Sequence, residues 1–155
     1  MKQVYVLNGV NLGRLGRREP GIYGTLTYDR LAQHLVDTGH GLGLEVQVRQ
    51  TDSEAEIVGW LHEAADNAIP VVINPGAWSH YSYAVADAAR EVAILVEVHI
   101  SNIFARESYR HHSVISADAS GCIIGLGPAG YDYALAHIAA LDGTVPDPAG
   151  DGVSE

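Results

Sequence analysis

Residues 3–24 read QVYVLNGVNLGRLGRREPGIYG, and the change of character at Asn8 decides how the rest of the chain is read. Gln3 to Asn8 is a short apolar run of the kind that forms a strand buried on both faces of a parallel sheet. About fifteen residues without helical or strand periodicity follow, and loops of that length inside compact domains are usually functional or disordered. Composition argues against disorder. Glycines at 9, 13, 16, 21 and 24 give a flexible backbone, Arg14, Arg17 and Arg18 bring positive charge, and Asn8, Asn11 and Tyr23 add polar groups. Together they predict a mobile lid over Leu7–Gly24 that closes on an anionic small molecule.

Beyond this stretch the chain alternates helices with strands. Thr25 or Thr27 can cap a helix over 28–38, with Leu31, Leu35 and Val36 on one face and Gly39, Gly41 and Gly43 ending it. Residues 44–50 alternate as a second strand. Ser53 and Glu56 make a capping box for a helix that turns Ile57, Trp60, Leu61 and Ala64 inward. Residues 69–73 form a third strand that stops at Asn74-Pro75-Gly76, and an alanine-rich helix over 81–90 follows. Val92 to Val98 is a fourth strand, ending at His99-Ile100-Ser101-Asn102. An irregular polar segment over 102–113 leads to a fifth strand near 121–126 and a last helix over 130–141. Gly, Pro and Asp prevail in 142–155, which predicts one domain over 1–141 and a disordered tail.

Five strands alternating with helices imply an α/β three-layer sandwich around a parallel sheet, in the flavodoxin-like strand order 2-1-3-4-5. In such sheets ligands bind beyond the carboxyl ends of the strands, at the switch point between strands 1 and 3. The polar residues fall there: Asn8 and the lid after strand 1, Asn74 after strand 3, His99 and Ser101 after strand 4.

The 155 residues suffice for one domain with a single core, and 47% hydrophobic content is ordinary for a globular protein. No apolar run approaches the roughly 18 residues of a membrane span, and the N-terminus lacks a signal-peptide pattern. With Cys122 as the single cysteine, these features point to the cytoplasm. A formal net charge of −10 argues against nucleic acid or an anionic membrane as partner. Five of the eight arginines nonetheless fall in two windows, at 14, 17 and 18 and at 106 and 110. Such clusters suit an anionic ligand; surface ion pairing is the plain alternative.

Candidate chemistries narrow quickly. Lys2 is the only lysine, which disfavours Schiff-base catalysis in a desolvated pocket. Cys122 lies in an apolar strand and reads as core rather than nucleophile. The Gly-x-Gly-x-x-Gly at 125–130 sits in the last strand–helix unit, with no further strand to supply a ribose-binding acid, so it reads as a tight turn with close packing rather than a dinucleotide site. His111 and His112 are adjacent and cannot share a face in regular structure, and no zinc-like spacing is present, which leaves metal binding a minority reading. Acid–base chemistry on a bound anion remains. His99 suits a proton donor or acceptor near neutrality. Tyr23 becomes a usable base if a neighbouring guanidinium favours its phenolate, although a packing or hinge role is open to it as well. Asn11 and Asn74 could donate hydrogen bonds to an enolate oxygen.

Asn8-Gly9-Val10-Asn11-Leu12 with Leu15-Gly16, Arg18-Glu19-Pro20 and Tyr23-Gly24 resembles the N-terminal signature of type II 3-dehydroquinate dehydratases. The likeness continues through Arg49-Gln50, Ser53-Glu54, Trp60 to Ala64, Ile73 to Ala77 with Ser79-His80, Glu97 to Asn102, Ala105-Arg106-Glu107, Arg110 to Ser113, Gly125-Leu126-Gly127 and Gly130-Tyr131, covering residues 3–141. The resemblance implies a cofactor-free trans-dehydration of 3-dehydroquinate to 3-dehydroshikimate in the shikimate or quinate pathway, with neither metal nor Schiff base. It makes Tyr23 the base, Arg18 the group that lowers its pKa, Asn11 the enolate stabiliser, and His99, oriented by Glu97, the acid. Substrate contacts map by the same resemblance onto Asn74, His80, Ile100, Ser101 and Arg110. It also implies trimers grouped into a homododecamer, with Asp87 reaching a neighbour's site.

The chain departs from that pattern at several positions. Val10 stands where the family has proline, Gly13 where asparagine is common, Tyr81 where a small threonine is usual, Phe104 at a histidine position and Val114 at an aromatic one. Val10 loosens the turn that presents Asn11. Tyr81, next to His80, would narrow the pocket or favour another ring. Two alternatives therefore stand beside the dehydratase: a paralogue acting on a related cyclic polyol, and a binding module without chemistry.

Overall fold

The computed structural model describes residues 1–17, 21 and 25–141. Five strands, β1 (Lys2–Asn8), β2 (Leu44–Gln50), β3 (Val71–Asn74), β4 (Leu95–His99) and β5 (Gly121–Ile124), form one sheet in the order β2-β1-β3-β4-β5. Every neighbouring pair is parallel, so the flavodoxin-like arrangement expected from the sequence is the one found. Among the described residues four helices cover it: α1 (Tyr28–Gly41), α2 (Glu54–Asp66), α3 (Tyr83–Arg90) and α4 (Ala129–Ala140).

The period of two along β1 divides the core. Val4 and Val6 pack on one face with Leu31 and Leu35 of α1 and Ala134, Leu135 and Ile138 of α4. Tyr5 and Leu7 pack on the other with Ile57 and Leu61 of α2 and Val85 and Ala89 of α3. Because helices cover both faces, β1 reads as a continuous apolar run rather than an alternating one.

Helix starts follow their caps. The Thr27 hydroxyl accepts from the Arg30 amide at 3.3 Å, and the Ser53 hydroxyl from the Glu56 amide at 3.3 Å, as expected for α1 and α2. Pro70 has no amide to offer the ladder, so β3 begins at Val71, although the Pro70 carbonyl still accepts from Tyr5 at 3.0 Å.

Three local expectations are corrected. Gly39 does not end α1, which runs on through Gly41 because Gly39 faces β2 in the core. Trp60 is only half-buried, packing against the margin of the core beside the Arg49 guanidinium rather than fully inside. Cys122 is exposed, because β5 is an edge strand and only its Ile123 packs against the core. The tight-turn reading of residues 125–130 holds: Gly125 and Gly127 take φ of +85° and +66°, and a Cβ on Gly130 would crowd Ile123 at 3.2 Å. The tail over 142–155 lies outside the described residues. Among the described residues no helix is long and apolar enough to cross a membrane.

Candidate active site

The carboxyl ends of β1, β3 and β4 open onto a cleft of about 160 Å³. The turn after β1 brings Asn11 to it, β3 and the five-residue 3₁₀-helix after it bring Asn74 and His80, and β4 with the residues just past its end brings His99, Ile100 and Ser101. The segment between β4 and β5 adds Arg106 and Arg110. Register explains the convergence, since Asn8 pairs with Asn74 and the strands end side by side.

The Asn11 turn is held from below. Asn11 has φ of +69°, a left-handed conformation that asparagine tolerates better than most residues, and its amide donates to Asp52 Oδ1 at 2.8 Å. Gln50 Nε2 donates to the Gly9 carbonyl at 3.2 Å and to Asp52 Oδ1 at 3.1 Å. These bonds hold the turn without the proline that Val10 replaces. A Cβ on Gly9 would sit 2.5 Å from the Pro75 carbonyl oxygen, so glycine is required where the two strand ends meet.

His99 and Glu97 form the titratable centre. His99 is 5% exposed and Glu97 fully buried. They lie two residues apart on β4, hence on the same side of the strand. His99 Nε2 donates to Glu97 Oε2 at 3.0 Å, which leaves Nδ1 to exchange a proton. Ser113 Oγ donates to Glu97 Oε1 at 3.0 Å and Ser116 Oγ to Oε2 at 2.7 Å. Burial pushes the Glu97 carboxyl up, but His99, Ser116 and Ser113 together outweigh it and hold it below the ordinary value. A buried carboxylate that stays ionised orients the imidazole through this hydrogen bond.

His80 stacks near His99, with ring centroids 6.4 Å apart and planes 16° from parallel. Its Nδ1 donates to the His112 carbonyl at 2.7 Å, which directs Nε2 elsewhere. Burial lowers its pKa, with His99 and Arg110 adding to that effect. His80 is thereby held toward its neutral form beside the His99 ring. Arg110 Nε donates to Glu107 Oε2 at 2.7 Å and its guanidinium lies 4.8 Å from the centre of the Tyr109 ring. Arg106 donates to Ser101 Oγ at 3.4 Å. Two guanidiniums on one wall suit an anion, and a histidine with a buried carboxylate behind it suits proton transfer.

The remaining expected residues divide. Glu97 lies behind His99 without lining the cleft. Asp87 lies on α3, its side chain 75% exposed and 3.6 Å from Arg90, away from this chain's own cleft. Tyr23 and Arg18, the expected base and its activator, lie outside the described residues, as does most of the distal lid. Tyr81 is 57% exposed and does not line the cleft, so the narrowing expected of it is not found. Sequence reasoning gave no role to Ser113, Ser116 or Tyr131, whose contacts with the site cross wide sequence separations. Arg106 belongs to an arginine window and to a matching stretch of the sequence, but the sequence assigns it no role.

A profile of the family described as Dehydroquinase class II matches residues 2–139. The 3-dehydroquinate dehydratase of Salinispora tropica is 63% identical over 139 residues, covering 89% of this chain and 97% of that protein. The 3-dehydroquinate dehydratase of Mycobacteroides abscessus is 53% identical over 138 residues, covering 88% and 96%. Among solved structures, a type II dehydroquinase from Propionibacterium acnes superposes with a TM-score of 0.89 at 61% identity, covering 90% of this chain and 97% of that one.

Proposed function

The chain belongs to the class II dehydroquinase family, and from that premise we propose that it dehydrates 3-dehydroquinate to 3-dehydroshikimate, with Tyr23 as base and His99 as acid. The observation that carries the acid assignment is the buried Ser113–Glu97–His99 chain of hydrogen bonds opening onto the cleft.

The reaction divides between the two groups. The Tyr23 phenolate, favoured by the Arg18 guanidinium, takes a proton from C2, and the electron pair moves into the ring ketone to form an enolate. Asn11, directly or through a held water, donates a hydrogen bond to the enolate oxygen. The enolate then collapses, breaking the C1–oxygen bond as protonated His99 delivers its Nδ1 proton, and water leaves with the new double bond conjugated to the ketone. Glu97 stabilises the imidazolium before that transfer. Asn74, His80, Ser101 and Arg110 orient the ring hydroxyls, and the backbone at Ile100 and Ser101 receives the carboxylate. Asp87 serves a neighbouring chain in a homo-oligomer built from trimers.

The test is growth of enone absorbance on adding 3-dehydroquinate, with borohydride treatment leaving the enzyme active. Tyr23→Phe should retain substrate binding and lose at least about a hundredfold in kcat, the lower end of what general acid–base catalysis supplies. No product at micromolar wild-type enzyme removes the proposal, and normal turnover by Tyr23→Phe removes the base.

A further inference from the structure

Beneath the cleft lies a buried phenol that the proposed chemistry does not use. Tyr131, the third residue of α4, is fully buried, and its hydroxyl reaches the carboxyl ends of both β1 and β3. It donates to Asn8 Oδ1 at 2.7 Å and accepts from Asn74 Nδ2 at 2.8 Å. Asn74 Oδ1 accepts from the Gly76 amide at 3.2 Å, and Asn8 Nδ2 donates to the Arg49 carbonyl at 3.5 Å.

These four bonds run in one direction. The Gly76 amide can only donate and the Arg49 carbonyl can only accept, so each end of the chain fixes the polarity of what lies between. Gly76 dictates that Asn74 Oδ1 is the acceptor; Asn74 must then turn Nδ2 to the phenol. The phenol has to pass its own hydrogen on to Asn8. Burial pushes the Tyr131 pKa well up, so the hydroxyl keeps that hydrogen. With Oδ1 turned to the Gly76 amide and one Nδ2 hydrogen held by Tyr131, the second Nδ2 hydrogen is the donor that Asn74 can offer in the cleft that it lines.

We propose that Tyr131 is a positioning residue, which locks the Asn74 carboxamide so that it presents a hydrogen-bond donor, and not an acceptor, to an oxygen of the bound ring. The assignment rests on Asn74 as a ligand-binding residue in the function proposed above. It extends the site to α4, which delivers the hydroxyl that sets a β3 side chain.

The test is a double-mutant cycle on the full chain with 3-dehydroquinate. Tyr131→Phe, which removes only the hydroxyl, should raise KM about three- to tenfold, the range of one hydrogen bond, with kcat within about twofold. In an Asn74→Ala background the same substitution should change kcat/KM by less than about twofold, because the group it acts through is gone. An equal factor in both backgrounds, or no change in the wild-type background, overturns the assignment. A second readout needs no turnover. In the ligand-free protein the Asn74 side-chain amide hydrogens, followed by NMR, should exchange with solvent at least about tenfold faster in Tyr131→Phe. Unchanged exchange overturns the assignment even if the wild type makes no product, an outcome that would separately remove the proposed function. If Tyr131→Phe does not fold, Asn8→Ala removes the phenol's acceptor and enters both measurements in its place.

Discussion

At the scale of single residues, Glu97 joins stability to chemistry. Its folded pKa lies below the ordinary value, so folding favours the ionised form. Its contribution is therefore complete above the unfolded value of about 4.3 and is lost as pH falls through the lower folded one. Glu97→Gln abolishes that dependence while keeping the side-chain shape. Denaturant unfolding between about pH 5 and 3 should show a shallower fall of stability with acid than in the wild type, though not a flat one, since Glu63 and Glu107 are also held below their ordinary values. At neutral pH the same variant should lose about tenfold or more in kcat, a part of the roughly 10²–10⁴ that a positioned acid supplies, because His99 itself remains. Full kcat in Glu97→Gln would leave His99 without need of its partner. The pairing of Glu97 with His99 was legible in the sequence through the resemblance. Ser113 and Ser116 were not, because sixteen and nineteen residues separate them from the carboxylate they hold.

Among the elements, the strands were legible and the helix end was not, for a physical reason that α1 makes plain. Strand identity follows from local apolar runs, and the five found fall on the runs that the sequence offers, although β4 starts at Leu95 rather than Val92 and β5 stops at Ile124. A glycine near a helix end, by contrast, can stop the helix or let it approach a neighbour. Gly39 does the second: a Cβ there would overlap Val46 Cγ2 of β2. The positive φ that terminates α1 comes at Gly43, at +78°. Cys122 was misread likewise, since an apolar strand is buried only if a neighbour covers it and β5 is the edge. The two glycines of α1 should therefore respond oppositely to alanine. Gly39→Ala should lower stability by about 1–3 kcal/mol through overpacking. Gly41→Ala, with open space around its Cβ position, should raise it by about 0.4–1 kcal/mol by stiffening the unfolded chain. Guanidinium denaturation of the two variants decides it; a loss of stability in both would mean that the end of α1 needs glycine for its backbone alone.

For the molecule as a whole, the cleft draws on residues from β1 to the segment before β5, yet Asp87 stands apart from it. On α3, Tyr83 and Asp87 are four residues apart and so share a face, with Tyr83 73% exposed and the Asp87 side chain 75% exposed. An acid beside an exposed aromatic on a helix face suits a contact with another chain better than a role in its own cleft. Asp87→Asn should then lower kcat/KM at neutral pH by about tenfold through the loss of one charged hydrogen bond, while Tyr23→Phe disables the chain that carries it. The two variants fail in different chains of an assembly. Mixed under conditions that let subunits exchange, they should form some sites with an intact Tyr23 on one chain and an intact Asp87 from its neighbour. Activity of the mixture should exceed the mean of the two separate variants, and light scattering should report a multiple of the 16.5 kDa chain. If Asp87 served its own cleft, each chain would keep its own defect and the mixture would give only the mean, and the trimer-based reading of α3 would fall with it.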